Sequence, residues 1–126
     1  MKKVISISVW GNNPRYIEGA KKNAILAADH YPDWEMRIYA ENRLQPLFED
    51  SPAKIYSPPY GWNNGMFWRF SPAFEQDVDV FISRDADSRI GNREVRCVNE
   101  WLSSGKKYHV IRDHERHYDF PIMWAP

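Results

Sequence analysis

The chain of 126 residues, 43% apolar and 27% charged, has the size of one soluble domain and is long enough to hold a core without a disulfide or structural metal. Its 17 basic and 17 acidic residues cancel, which argues against the phosphate-neutralising grip behind nonspecific nucleic-acid binding and for small molecules or proteins as partners. Cys97 is the single cysteine, so an intramolecular disulfide is excluded and a reducing compartment, the cytoplasm, is the expected location.

The N-terminal run Val4-Ile5-Ser6-Ile7-Ser8-Val9 alternates with serine and is too short for the apolar region of a signal peptide. No window approaches the roughly 20 apolar residues of a membrane helix, so a chain that does not span a membrane is expected. Residues 3–10 instead predict a first strand, broken by Gly11-Asn12-Asn13-Pro14. Asn13 suits a helix N-cap and Pro14 the first helical position; Ile17, Ala20, Ala24, Ala27 and Ala28 then recur at helical spacing, predicting a first helix to about His30. Beyond the Pro32-Asp33 turn, residues 35–41 alternate, with Met36, Ile38 and Ala40 on one face and Arg37 and Tyr39 on the other, as a second strand. Residues 44–49 suggest a short helical segment and residues 53–56 a brief third strand before Pro58-Pro59.

Tyr60-Gly61-Trp62-Asn63-Asn64-Gly65 reads as a loop, and Met66-Phe67-Trp68-Arg69-Phe70 as a buried helix that Pro72 bends or restarts. Residues 78–83 form an apolar strand that ends in Arg84-Asp85-Ala86-Asp87-Ser88. Asn92 can cap a second long helix with Val95, Val98, Trp101 and Leu102 turned inward and Gly105 closing it. Residues 107–111 predict a last strand, followed by a polar stretch from Arg112 to Asp119. Strands thus alternate with helices, and the expectation is a single α/β domain over residues 1–126 with a mainly parallel central sheet and helices on both faces. Ligands of such sheets bind beyond the carboxyl ends of the strands. Trp10-Gly11, Glu41-Asn42, Asp85 with Asp87, and Arg112 to His114 all fall at such ends.

Asp85 and Asp87 are the sharpest chemical feature: two carboxylates one residue apart at the end of a core strand. On extended backbone both project to one side and can share a divalent cation, leaving open positions for phosphate oxygens. The competing reading is an ion-paired turn neutralised by Arg84 and Arg89. Arg69 and Arg84 suit a diphosphate, because guanidinium forks match phosphate oxygens. The six Trp, seven Tyr and six Phe fill a core or stack on sugars and bases, and Trp10 and Trp62 lie where either role is open. Asn63 and Asn64 suit sugar hydroxyls or ordinary turn chemistry.

The stretch Asp79-Val80-Phe81-Ile82-Ser83-Arg84-Asp85-Ala86-Asp87-Ser88-Arg89 resembles the strand and Asp-x-Asp motif of nucleotide-sugar-dependent glycosyltransferases of the GT-A fold. Gly65-Met66-Phe67-Trp68-Arg69-Phe70 is similar to the helix that precedes that strand in several of their branches. The resemblance implies a Rossmann-like, GT-A type domain in which Asp85 and Asp87 hold Mn²⁺ or Mg²⁺ against the donor diphosphate. It also implies that Ser8, Val9, Trp10 and Gly11 after the first strand, and Glu41 and Asn42 after the second, touch the base and ribose. A third metal ligand would come from the C-terminal part, where His114 and His117 stand three residues apart, and Asp113 or Asp119 would be the general base. The expected activity is metal-dependent transfer of sugar from a nucleoside-diphosphate sugar, a UDP-sugar first, to a glycan, protein or lipid acceptor. The acceptor half of such enzymes is short or absent here, since they usually run to about 200 residues; a minimal form, a truncated one, or a homo-oligomer completing the site would each account for this. Two alternatives stand beside it: a non-catalytic nucleotide-sugar or glycan-binding module of the same fold, and phosphoryl transfer of the haloacid-dehalogenase kind with Asp85 as nucleophile. The latter is disfavoured by the shortness of the chain after Asp87.

Overall fold

A computed structural model describes residues 1–110 of the chain. Four strands, β1 (Lys3–Val9), β2 (Glu35–Ala40), β3 (Lys54–Tyr56) and β4 (Val80–Ser83), form one sheet in the order β3-β2-β1-β4, with every neighbouring pair parallel. Helix α1 (Pro14–His30) follows β1, and α2 (Asn92–Ser104) follows β4. Two 3₁₀ segments, Asn42–Phe48 and Gly65–Phe74, connect β2 to β3 and β3 to β4. No helix among the described residues is long and apolar enough to cross a membrane.

Strand β1 is central, so both of its faces are covered, and each takes a different chemistry. Ile5, Ile7 and Val9 join Met36, Ile38 and Ala40 of β2 in a core closed by Ala20, Ala24 and Ala27 of α1 and Val98 of α2. Alanines at this spacing give α1 a flat buried stripe, which lets the helix lie close to the sheet. Asn13 caps α1 by accepting the Arg15 N–H at 3.0 Å, Pro14 opens it, and Gly105 in the left-handed region ends α2. Both long helices contribute to this one core, which corrects the expectation of long helices on both faces; the other face of the sheet lies under the second 3₁₀ segment.

That second face is polar. The Ser6 hydroxyl donates to the Arg69 carbonyl, and the Ser8 hydroxyl accepts the Arg69 N–H at 2.8 Å. The two serines thus satisfy both main-chain groups of one buried residue, each bond stabilising by about 1 kcal/mol net. Arg37 and Tyr39 occupy the same face on β2, as their alternation predicts. Arg37 is fully buried, donates to Glu35, Glu75 and the Tyr39 hydroxyl, and lies over the Tyr56 ring.

The predicted elements fall within a residue or two of those observed, with two exceptions. The segment around Phe67 is a 3₁₀ helix that contains Pro72, because proline withdraws a main-chain donor from an α-helical ladder. Residues 107–110 make no strand, and Tyr108 and Val110 are exposed. Helix α2 begins at Asn92 with Gly91 in the cap position, one residue before the predicted cap.

Candidate functional site

The chain leaves β1, passes outward to β2 and β3, and returns to place β4 on the opposite side of β1. This reversal opens a crevice beyond the carboxyl ends of β1 and β4, the position at which open parallel sheets bind ligands. A cleft of about 260 Å³ occupies it, lined by Ser8, Trp10, Gly11, Asn12, Asn13, Tyr16, Arg69, Asp85 and Ala86. Four elements meet there: the end of β1, the first turn of α1, the second 3₁₀ segment and the end of β4.

Trp10 forms one wall. The residue is 39% exposed, and its ring meets the buried Trp68 edge-on, at 6.4 Å between centroids and 72° between planes. Trp68 is itself fixed by its indole N–H, which donates to the Trp62 carbonyl at 2.8 Å. Behind Trp10 stands Gly65, where an added Cβ would come within 2.6 Å of the indole ring. The absence of a side chain at Gly65 therefore permits the ring to stand where it does.

Arg69 forms the floor. Its main chain is held by Ser6 and Ser8, its side chain is only 6% exposed, and its Nη1 donates to Oδ1 of Asp85 at 2.6 Å. Asp87 is paired separately, with Nη2 of Arg15 at 3.2 Å, on the first turn of α1. The ion-paired turn weighed from sequence is thus real in kind but made by other residues: Arg69 and Arg15 take the places expected of Arg84 and Arg89. Arg84 turns inward, where Nη2 donates to Glu94 at 2.7 Å, and Glu94 also accepts the Tyr31 hydroxyl at 3.0 Å. Burial lowers the Arg84 pKa against the attraction of Glu94, and burial followed by Glu94 pushes that of Tyr31 up. The expectation that Arg84 grips a diphosphate is corrected accordingly, since its guanidinium is occupied in the interior.

Of the other expected site residues, Ser8, Trp10 and Gly11 line the cleft together with Asp85. Val9 does not; its side chain is fully buried in the core beneath α1. The Glu41 carboxylate accepts the Gly11 N–H at 2.8 Å and pairs with Arg43, so it braces the loop after β1 instead of lining the cleft. Asn42 borders a separate groove beside β3 and accepts a bond from Gln45. Trp62 packs edge-on against Phe74, and Asn64 caps the second 3₁₀ segment by accepting the Met66 N–H. His109 stacks on Trp101 and lies in no strand. Asp113, His114, His117 and Asp119 lie outside the described residues.

Sequence reasoning passed over Asn12 and Tyr16 as cleft residues, Arg15 as the partner of Asp87, and Asn23. For the first three a signal existed. A strand followed at once by Gly-Asn-Asn-Pro and a helix puts that helix's first turn at the strand's carboxyl end, hence beside any ligand there.

Asp85 and Asp87 leave the end of β4 on one short loop, with side chains 35% and 28% exposed. Among the described residues no group of three His, Cys, Asp or Glu side chains gathers around a point. Two carboxylates suit Mg²⁺ or Mn²⁺ only where substrate phosphates and water complete the coordination, a common arrangement for these ions. Comparison with protein-family models, with curated proteins and with solved structures finds no match for the chain.

Proposed function

We propose that this chain is the donor-binding domain of a metal-dependent glycosyltransferase of GT-A type, taking a nucleoside-diphosphate sugar, a UDP-sugar first. The observation that carries the reading is the meeting in one switch-point cleft of Asp85, from the Asp-x-Asp segment, with Arg69 and Trp10. These three side-chain types suit the three parts of such a donor. Trp10 offers a fixed aromatic surface to a base or sugar ring. The buried Arg69 and the N-terminal turn of α1 offer positive potential to a diphosphate. Asp85 and Asp87 would hold the cation, and a bound Mn²⁺ or Mg²⁺ supplies neutralisation of charge on the departing diphosphate.

In this scheme the chain's own work is orientation and charge compensation. Ser6 and Ser8 hold Arg69 by its main chain, so the guanidinium enters the cleft without a conformational search. Arg69, whose guanidinium is paired with Asp85 in this structure, is the group the chain offers to phosphate oxygens.

A second reading, a module that holds the nucleotide sugar without turnover, is favoured by one feature. Asp85 is the only carboxylate among the described residues lining the cleft, and it is ion-paired. The test is a thermal-shift panel of UDP, GDP, CDP and their sugar conjugates with and without Mn²⁺, followed by assays for transfer and hydrolysis. Saturation at ~100 times the dissociation constant adds about 2.7 kcal/mol and raises the melting temperature by several degrees. A shift that needs both metal and nucleotide, and is lost in Asp87→Ala, supports the proposal. Shift without turnover supports the module, and absence of any nucleotide-dependent shift sinks both.

A further inference from the structure

The loop that carries Asp85 and Asp87 is not held chiefly by those residues' own ion pairs. It rests on α1. Asn23 is fully buried in the middle of that helix, and its amide reaches three main-chain groups of the loop. Its Nδ2 donates to the carbonyls of Ala86 at 3.3 Å and Ser88 at 2.6 Å, while its Oδ1 accepts the N–H of Ile90 at 3.1 Å. One turn earlier, Gly19 lets the loop settle: a Cβ there would lie 2.0 Å from the Ala86 carbonyl oxygen. Ala86 and Ile90 are buried in the core on either side of the exposed turn. The loop is therefore pinned at Ala86, Ser88 and Ile90, and the carboxylates at 85 and 87 flank the first pin.

An amide is the side chain that meets this need. It supplies donors and an acceptor from one planar group, whereas aspartate lacks the donors and serine lacks the reach. A buried residue this far from solvent, spending every polar atom on one loop, acts as an outer support for whatever that loop binds.

We propose that Asn23 is the positioning residue of the Asp85 and Asp87 loop, fixing the direction of both carboxylates and so the affinity of the cleft for a divalent cation with a nucleoside diphosphate. The identity of the ligand rests on the functional reading above; the control of the loop does not.

The experiment compares wild type, Asn23→Ala, Asn23→Ser and Leu44→Ala, the last a core truncation on the first 3₁₀ segment that lowers stability without touching the loop. Two quantities are read: the dissociation constant of UDP in saturating Mn²⁺ by calorimetry, and amide hydrogen exchange at Ser88 and Ile90 against that of β1. Both Asn23 variants are expected to bind UDP about 10- to 100-fold more weakly, the usual cost of losing an outer support of a metal site. They are also expected to exchange faster at Ile90 than the change at β1 accounts for. Leu44→Ala is expected to keep wild-type affinity at a comparable loss of melting temperature. Unchanged affinity in both Asn23 variants, or Ile90 exchange that rises only in step with β1, overturns the proposal. Failure of the wild type to bind UDP with Mn²⁺ removes the functional reading alone, and the exchange measurement then decides whether Asn23 positions the loop.

Discussion

Nη1 of Arg69 lies 2.6 Å from Oδ1 of Asp85, across the floor of a cleft that neither residue's own element builds alone. The pair joins the second 3₁₀ segment to the end of β4, and the bonds between the Arg69 main chain and the hydroxyls of Ser6 and Ser8 make β1 the common support of both. A cation that enters beside Asp85 must compete with this guanidinium, and an anion beside Arg69 must compete with this carboxylate. On the proposed function, a cation with a diphosphate would answer both charges of the pair at once.

Arg69→Lys tests the guanidinium separately from its charge. The main-chain bonds to Ser6 and Ser8 are unaffected, and an ammonium still faces Asp85, so the loss of stability should be modest, about 1 kcal/mol. Lysine cannot present two parallel donors, so UDP affinity in saturating Mn²⁺ should fall about tenfold, and further in Arg69→Ala. Calorimetric titration checks both variants. Wild-type affinity in Arg69→Ala would place the diphosphate elsewhere.

Gly65→Ala should displace Trp10. The added methyl would sit 2.6 to 2.8 Å from three atoms of the indole, so the ring or the 3₁₀ segment must shift. The expected loss of stability is about 1–3 kcal/mol, the range of overpacked sites. Because Trp10 walls the cleft, nucleotide or sugar binding should weaken beyond what the melting temperature explains. Urea unfolding and titration of the same sample separate the two effects, and unchanged binding with a lowered midpoint would deny Trp10 a ligand.

Much of this arrangement was legible in the chain because it follows short-range periodicity. Residues 35–40 alternate strictly, so Met36, Ile38 and Ala40 could be assigned to one face and Arg37 and Tyr39 to the other, as observed. An apolar strand that ends abruptly in Arg-Asp-Ala-Asp likewise places its carboxylates at the carboxyl end of the sheet. What could not be read is pairing between distant segments. Arg84 and Arg69 are alike in sequence, but β4 lies beside β1, which sends one guanidinium toward Glu94 and the other into the cleft. Arg15 meets Asp87 only because α1 begins at the crevice. The serines of β1 alternate like any half-polar strand, and that they bind the peptide groups of Arg69 follows from a crossing that periodicity does not encode.

Gly19→Ala should behave unlike most glycine-to-alanine changes in a helix. Alanine normally stabilises a helix interior by roughly 0.5–1 kcal/mol. Here its Cβ would meet the Ala86 carbonyl at 2.0 Å, a main-chain atom that cannot rotate aside. The variant should therefore lose stability by about 1–3 kcal/mol while the isolated α1 peptide gains helicity. Thermal unfolding of the protein and circular dichroism of the peptide give the two signs. A stabilised protein would mean that the loop over α1 moves freely.

Acid should weaken the fold through Glu35, which sits at the start of β2 beside the buried Arg37. Burial alone would raise its pKa, but the bonds from Lys54 and Arg37 outweigh burial and hold it below the ordinary 4.5. Because the folded-state pKa lies below the unfolded one, this stabilisation is complete above pH 4.5 and is lost as pH falls through the folded-state value. Asp77, held low by its bond from Lys2, titrates in the same direction but is present in every variant. The difference between wild type and Glu35→Gln therefore isolates the glutamate. Urea midpoints from pH 6 down to pH 3 should show wild type ahead at the upper end, the two curves converging as the carboxylate protonates and Arg37 is left with Glu75. A constant gap across the range would mean that Glu35 carries no more than packing.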